Sequence, residues 1–347
     1  MSTRIFKYSK PFNLELGGVL PELEIAYHAY GVLNKNKDNA IWVCHALTAS
    51  SDAESWWTGL IGNDFTFDPN KHFIICANIL GSCYGTTGPL TINPNTGEPY
   101  YHYFPVPTIR DLVAAHELLR QHLEIKKINT IIGGSMGGQQ AMEWAITSPG
   151  LFENLILVAT NAKHSPWGIA FNETQRLAIE TDTTFKQRLP SAGHNGLKVA
   201  RSIALLSYRH YSAYKKSQSE TDENKTDQFK AASYQQYQGE KLVKRFNAFS
   251  YYTLSKTMDT HNIARGRGSA EEVLAAITAN TLVISINSDI LFPKQEQAFL
   301  ALHIHSAAYA GIDSDYGHDG FLTESEKLGL IISNFLVKKE KFVTNER

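Results

Sequence analysis

Five short stretches of the chain are almost wholly apolar, at residues 40–44, 73–77, 128–132, 155–159 and 281–286, and a sixth, weaker one lies at 305–310. Uninterrupted apolar runs of this length are what a parallel sheet covered by helices on both faces requires of its strands. Helical periodicity fills the gaps. After the third run, Gly138, Ala141, Met142 and Ala145 recur at i, i+3, i+4 and i+7, the spacing of one helix face. Before it, Thr108 reads as an N-cap with Asp111 in the capping-box position, and Leu112, Val113, His116, Leu118 and Leu119 continue that helix. Further helices are expected over 295–302 and 324–337. Strands alternating with helices imply right-handed crossovers and a doubly wound, mostly parallel sheet. Near the start, Leu23 to Tyr27 alternates apolar and polar residues behind Gly17-Gly18, which predicts an antiparallel hairpin.

The rhythm breaks between residues 164 and 267, where helical periodicities occur without a convincing strand. The expected organisation is a core built from residues 1–163 and 268–347, with 164–267 inserted as a helical lid. Within the insertion, residues 215–230 are polar and charged, so they are expected to form an exposed loop or the mobile end of a helix. A chain of 347 residues is large enough for such a core and insertion.

Charge and composition narrow the function classes. A formal net charge of −1 gives no electrostatic reason to bind nucleic acid or an anionic membrane. No apolar run approaches the about 20 residues that span a bilayer, and the first 13 residues lack the apolar centre of a secretion signal. Cys44, Cys76 and Cys83 lack CxxC spacing and read as small hydrophobes in a reducing compartment. A soluble, cytoplasmic protein is therefore expected. No His, Cys, Asp or Glu cluster has metal-ligand spacing, and no Walker or dinucleotide glycine motif occurs, so no metal or bound cofactor is expected.

The candidate chemistry centres on Gly133-Gly134-Ser135-Met136-Gly137, where a strand turns directly into a helix. Serine in that setting, with glycine two residues before and two after, is the nucleophile elbow of α/β-hydrolase folds. The glycines have a steric purpose: strand and helix approach so closely that neighbouring Cβ atoms do not fit, and the serine is forced into a sparsely populated conformation. In such folds an acid and then a histidine follow the nucleophile in the chain. Asp289 lies just past the fifth run, and His318 lies in Gly317-His318-Asp319-Gly320 past the sixth. All three would converge at the carboxyl ends of the strands. Imidazole would take the serine proton, the carboxylate would fix its tautomer, and the N–H groups of Leu47 and Met136 would form an oxyanion hole. His116 and His305 have no comparable setting and read as structural.

Blocks spread along nearly the whole chain carry a further resemblance. Among them are His45-Ala46-Leu47-Thr48, Trp56-Trp57, Thr108-Ile109-Arg110-Asp111, and the elbow from Gly133 to Trp144. Others are Phe171-Asn172-Glu173, Tyr237-Gln238-Gly239-Glu240-Lys241, Arg265-Gly266-Arg267-Gly268 and Tyr316-Gly317-His318-Asp319. In these the chain closely resembles the homoserine O-acetyltransferases of the α/β-hydrolase superfamily. The resemblance implies ping-pong transfer of an acetyl group from acetyl-CoA, as co-substrate, to the hydroxyl of L-homoserine through acetyl-Ser135. It implies that Arg201 binds the amino-acid carboxylate, that Asp319 receives its ammonium and that Tyr208, seven residues from Arg201, shapes the same pocket. It also implies a homodimer formed through the lid helices.

Succinyl-specific members of the family carry arginine two residues after the triad acid. Leu291 stands there in this chain, and an apolar side chain cannot pair a second carboxylate, which favours acetyl. Three other readings remain: succinyl transfer to homoserine, acetyl transfer to serine, and an esterase or thioesterase in which water completes the second half-reaction.

Overall fold

The structure, a computed structural model, describes residues 2–343. Its centre is an eight-stranded sheet whose strands are β1 (Arg4–Tyr8), β4 (Leu23–Tyr30), β5 (Ala40–Cys44), β6 (Phe73–Ala77), β7 (Ile128–Gly134), β8 (Phe152–Val158), β9 (Asn280–Ile286) and β10 (Ala308–Ile312). They lie in the order β1-β4-β6-β5-β7-β8-β9-β10. Strand β4 pairs antiparallel with both β1 and β6, and every other pairing in the sheet is parallel. A separate ribbon of β2 (Phe12–Asn13) and β3 (Val19–Leu20) turns at Gly17-Gly18.

The expected N-terminal hairpin thus resolves into two features. The glycine turn belongs to the small ribbon, while β4 is held between strands on both sides. That position buries β4 almost throughout, so the alternation read from Glu24 alone does not persist beyond it.

The helices are α1 (Ala53–Trp56), α2 (Ile109–His122), α3 (Met136–Thr147), α4 (Pro166–Glu180), α5 (His194–Tyr208), α6 (Tyr211–Gln218), α7 (Lys230–Val243), α8 (Ala248–Asp259), α9 (Ala270–Ala275), α10 (Lys294–His303), α11 (Gly320–Thr323) and α12 (Ser325–Val343). Thr108 caps α2 in a capping box, its hydroxyl accepting from the Asp111 N–H while the Asp111 carboxylate accepts from the Thr108 N–H. Two apolar layers result. One face of the sheet packs Trp42 and Ile131 against Leu112, Met142 and Trp144. The other packs Ile41, Ile132 and Ile284 against Trp57, Leu328 and Ile332.

Helices α4 to α8 form a continuous excursion between β8 and β9. Its ends meet in a short antiparallel neck, where the His164 N–H donates to His261 O (3.0 Å) and the Ile263 N–H to Ala162 O (3.1 Å). Within it, residues 215–218 are the last turn of α6, and 219–229 connect to α7 without regular structure. The terminal residues 1 and 344–347 of the expected core segments lie outside the described residues. Among the described residues no helix is long and apolar enough to cross a membrane.

Two consecutive facts of this topology position a site. The chain runs from β5 to β6 on one side and then crosses back past β5 to β7 on the other, so the loops after β5 and β7 open side by side at the sheet's carboxyl edge, where open α/β sheets bind ligands. The loops after β9 and β10 open on the same edge, beneath the lid.

Candidate active site

Ser135 follows β7 directly, with φ 56° and ψ −127°, a conformation that L residues rarely adopt. The turn is held from both ends. Its N–H donates to Val158 O (3.0 Å), and its carbonyl accepts from Thr160 Oγ1 (2.8 Å) and the Gly138 N–H (2.9 Å). The flanking glycines leave no room for a side chain: a Cβ on Gly133 would lie 2.2 Å from the Gly137 carbonyl, and one on Gly137 would lie 2.1 Å from Cys44 O.

Three side chains meet there. Ser135 Oγ lies 2.9 Å from His318 Nε2, and His318 Nδ1 lies 2.6 Å from Asp289 Oδ2. With the Nδ1 proton donated to the carboxylate, Nε2 is left to accept from the serine hydroxyl. The second Asp289 oxygen is occupied as well, accepting the N–H groups of Leu291 (2.8 Å) and Phe292 (2.9 Å), so the carboxylate cannot swing away from the ring. Phe292 stacks on the imidazole at 5.0 Å between centroids, with Phe321 and Tyr208 against its other sides. Ser135, Asp289 and His318 are all buried.

The N–H groups of Leu47 and Met136 have no acceptor among the described residues, as an oxyanion hole requires before substrate arrives. What fixes them was not visible in the sequence. Gln140, fully buried on α3, donates from Nε2 to both His45 O and Met136 O (3.1 Å each), tying the two contributing segments together. Its Oε1 accepts from His116 Nε2 (3.0 Å). His45 braces its own loop, donating from Nδ1 to Ala46 O (2.9 Å) and accepting the Ile79 N–H at Nε2 (3.0 Å). Burial lowers the pKa of both His45 and His116 to about 4, so both rings are neutral at pH 7.

A cavity of about 530 Å³ reaches Ser135 and His318 from solvent. Leu47, Arg201, Tyr208 and Asp319 line it. Arg201, on α5, lies over the Tyr208 ring (5.5 Å) and has no carboxylate partner among the described residues. Asp319 is not free: its Oδ2 accepts Arg209 Nε at 2.6 Å. Arg209 carries no signal in the sequence pattern: it follows the last residue of α5 in an extended conformation, and that exit from the helix turns its side chain to Asp319. Leu291 differs from its expected place. It is buried in the core rather than among the residues lining the cavity, because the tight turn that aims two N–H groups at Asp289 carries its side chain inward.

The model of the α/β hydrolase fold family matches residues 39–325. A homoserine O-acetyltransferase of Cyclobacterium marinum is 51% identical over 97% of this chain and 96% of the relative. Among solved structures, the homoserine O-acetyltransferase of Bacillus anthracis superposes with a TM-score of 0.89 at 25% identity, covering 96% of this chain and 97% of that one. Esterase E22 superposes almost as well, with a TM-score of 0.88 at 25% identity over 96% of this chain and 99% of that one. The chain belongs to the α/β-hydrolase fold family and, within it, to the family of the homoserine O-acetyltransferases.

Proposed function

We propose that this protein moves an acetyl group from acetyl-CoA to the side-chain hydroxyl of L-homoserine, giving O-acetyl-L-homoserine for methionine biosynthesis. One observation carries the reading beyond family membership. A Ser-His-Asp relay lies at the buried end of a cavity whose wall presents both a guanidinium without a carboxylate partner and a carboxylate. An ester pocket has no need of that pair, whereas the two ends of an amino acid match it.

The steps follow from the relay. Ser135 Oγ attacks the thioester carbonyl carbon as its proton passes to His318 Nε2, and the resulting oxyanion accepts from the N–H groups of Leu47 and Met136. The C–S bond then breaks, with His318 returning the proton to the departing thiolate of CoA. Homoserine next docks with its carboxylate on Arg201 and its ammonium on Asp319, beside Tyr208. Its hydroxyl loses a proton to His318 and attacks acetyl-Ser135. Collapse expels the serine oxygen, which takes the proton back. The reaction as written uses no resident cofactor, and acetyl-CoA enters as co-substrate.

The lid helices cover the cavity and restrict water, which would otherwise take the acetyl group. Val199 and Leu206 on α5 and Tyr237 on α7 are exposed apolar side chains on this lid, and they support a homodimer formed there. Three free cysteines support a reducing, cytoplasmic location.

A matrix of donors and acceptors tests the reading. Acetyl-CoA and succinyl-CoA are each offered with L-homoserine, L-serine or water, following free thiol and product mass. Sustained thiol release, beyond the one equivalent freed in forming acetyl-Ser135, is expected only with acetyl-CoA and L-homoserine, and it should vanish in Ser135→Ala. Equal release with water alone would instead establish the hydrolase reading that the likeness to esterase E22 favours.

A further inference from the structure

The cavity wall carries more positive charge than an amino acid can use. In a chain of net charge −1, it presents Arg201, Arg209, Lys241 and Arg245 against a single acid, Asp319. Homoserine is a zwitterion, satisfied by Arg201 and by Asp319 with its partner Arg209. Lys241 and Arg245 are left over. Neither has a carboxylate partner among the described residues. Arg245 donates from Nη1 to two neutral acceptors, Thr48 O (2.5 Å) and Tyr84 Oη (2.6 Å), so its charge is uncompensated there. Lys241 lies in the last turn of α7, and Arg245 follows just past the helix end. Both are exposed, while Ser135 and His318 at the other end of the same cavity are buried.

The charge is therefore graded along the cavity, with a zwitterion-matched pair near the nucleophile and surplus cations at the mouth. We infer that Lys241, with Arg245 beside it, binds the phosphate groups of the nucleotide half of the acyl-CoA donor, leaving the uncharged pantetheine arm to reach Ser135. The inference rests on the proposed acetyl-CoA chemistry and identifies where that donor is gripped. Phosphate oxygens accept from ammonium and guanidinium groups in short, charge-assisted bonds, and at an exposed mouth the attraction is weakened by salt. The arrangement also gives a physical reason for a transferase to prefer a CoA ester over a simple acetyl ester that fits the same relay: the second lacks the phosphates.

Calorimetric titration of the full-length protein with free CoA, 3′-dephospho-CoA and pantetheine tests this directly. Lys241→Ala is expected to weaken CoA about tenfold, Lys241→Glu to weaken it further, and Lys241→Arg to restore it. Pantetheine affinity should change far less than CoA affinity, and only CoA affinity should fall with added salt. Dephospho-CoA distinguishes the two phosphate sources. If it binds the parent as CoA does, Lys241 grips the pyrophosphate, and if its affinity is already reduced to that of CoA for Lys241→Ala, Lys241 grips the 3′-phosphate. In turnover, Lys241→Ala should raise KM for acetyl-CoA more than for S-acetyl-N-acetylcysteamine. Equal weakening of CoA and pantetheine, unchanged CoA affinity in Lys241→Glu, or no CoA binding by the parent would each overturn the inference. Lys241-dependent CoA binding without acetylation of homoserine would sink the proposed function and leave this site standing.

Discussion

At the scale of single residues, the site is built by removing atoms as much as by placing them. A residue held at φ 56° and ψ −127° costs about 1–3 kcal/mol, and Ser135 keeps that conformation because its neighbours leave no alternative path. Gly137→Ala brings a Cβ to 2.1 Å from Cys44 O, so backbone must move on both sides of the proposed oxyanion hole. The expected outcome is loss of acyl transfer together with a lowered melting temperature, read by calorimetry and thiol release. Wild-type turnover in that variant would contradict the steric account. Gln140 acts through others: its amide holds His45 O and Met136 O at the same distance, 3.1 Å. Gln140→Met keeps the volume but lets the two segments drift apart. Removing an oxyanion donor outright costs about 10²–10³ in kcat. Loosening two of them should cost less, about tenfold, in kcat with little change in KM for homoserine, whereas a purely structural role would alter stability and leave that split absent. The triad was legible because its members follow strands in a fixed chain order. Gln140 was not, since His45 lies in the loop after a neighbouring strand and His116 on another helix, and only packing brings them within reach of it.

At the scale of elements, the sequence blocks 108–111 and 265–268 lie outside the lining of the catalytic cavity. They fasten the returning end of the lid to the elbow helix. Glu143, on α3 and almost fully buried, accepts from Arg267 through both oxygens (2.5 and 2.9 Å), with Arg110 Nε 3.4 Å away. Glu15 receives Arg110 (2.9 Å) and Arg265 (2.7 Å), extending the tie to the N-terminal segment. Burying such charges gains little over an apolar pair, but breaking one partner is costly, because the remaining carboxylate is left without water. Arg267→Ala is expected to destabilise the protein by about 3 kcal/mol, and adding Glu143→Leu should recover much of that loss. Urea unfolding of both variants checks it, and a mild single mutant with a worse double mutant would refute it. Family resemblance points to Arg110, Arg265, Arg267 and Glu143, and not to Glu15. That they fasten elements together required the distance between residues 124 positions apart in sequence.

At the scale of the whole molecule, burial of neutral histidines sets how the fold responds to acid. His45, His116 and His164 are held down to about 4 and His261 to about 3, in each case chiefly because burial disfavours the charged ring. Unfolding exposes all four and returns them to about 6.5. Between those values the unfolded chain binds more protons than the folded one, so stability is intact above pH 6.5 and falls as the pH drops towards 4. Each ring contributes up to about 1.4 kcal/mol per pH unit in that window. Glu15 and Glu117 are lowered, burial being outweighed by hydrogen bonds and basic partners, and they act in the same sense at lower pH. Burial raises Asp111 and Asp259, which act in the opposite sense and soften the decline. The melting temperature should therefore be flat above about pH 7 and fall steeply between pH 6.5 and 4. Two of the four rings brace the oxyanion loops, so acetyl transfer should fail along the same curve and return on neutralisation. A melting temperature unchanged from pH 7.5 to 5 would mean that these rings are not held neutral by the fold. It would also remove the reason for reading His45 and Gln140 as one neutral hydrogen-bonded brace.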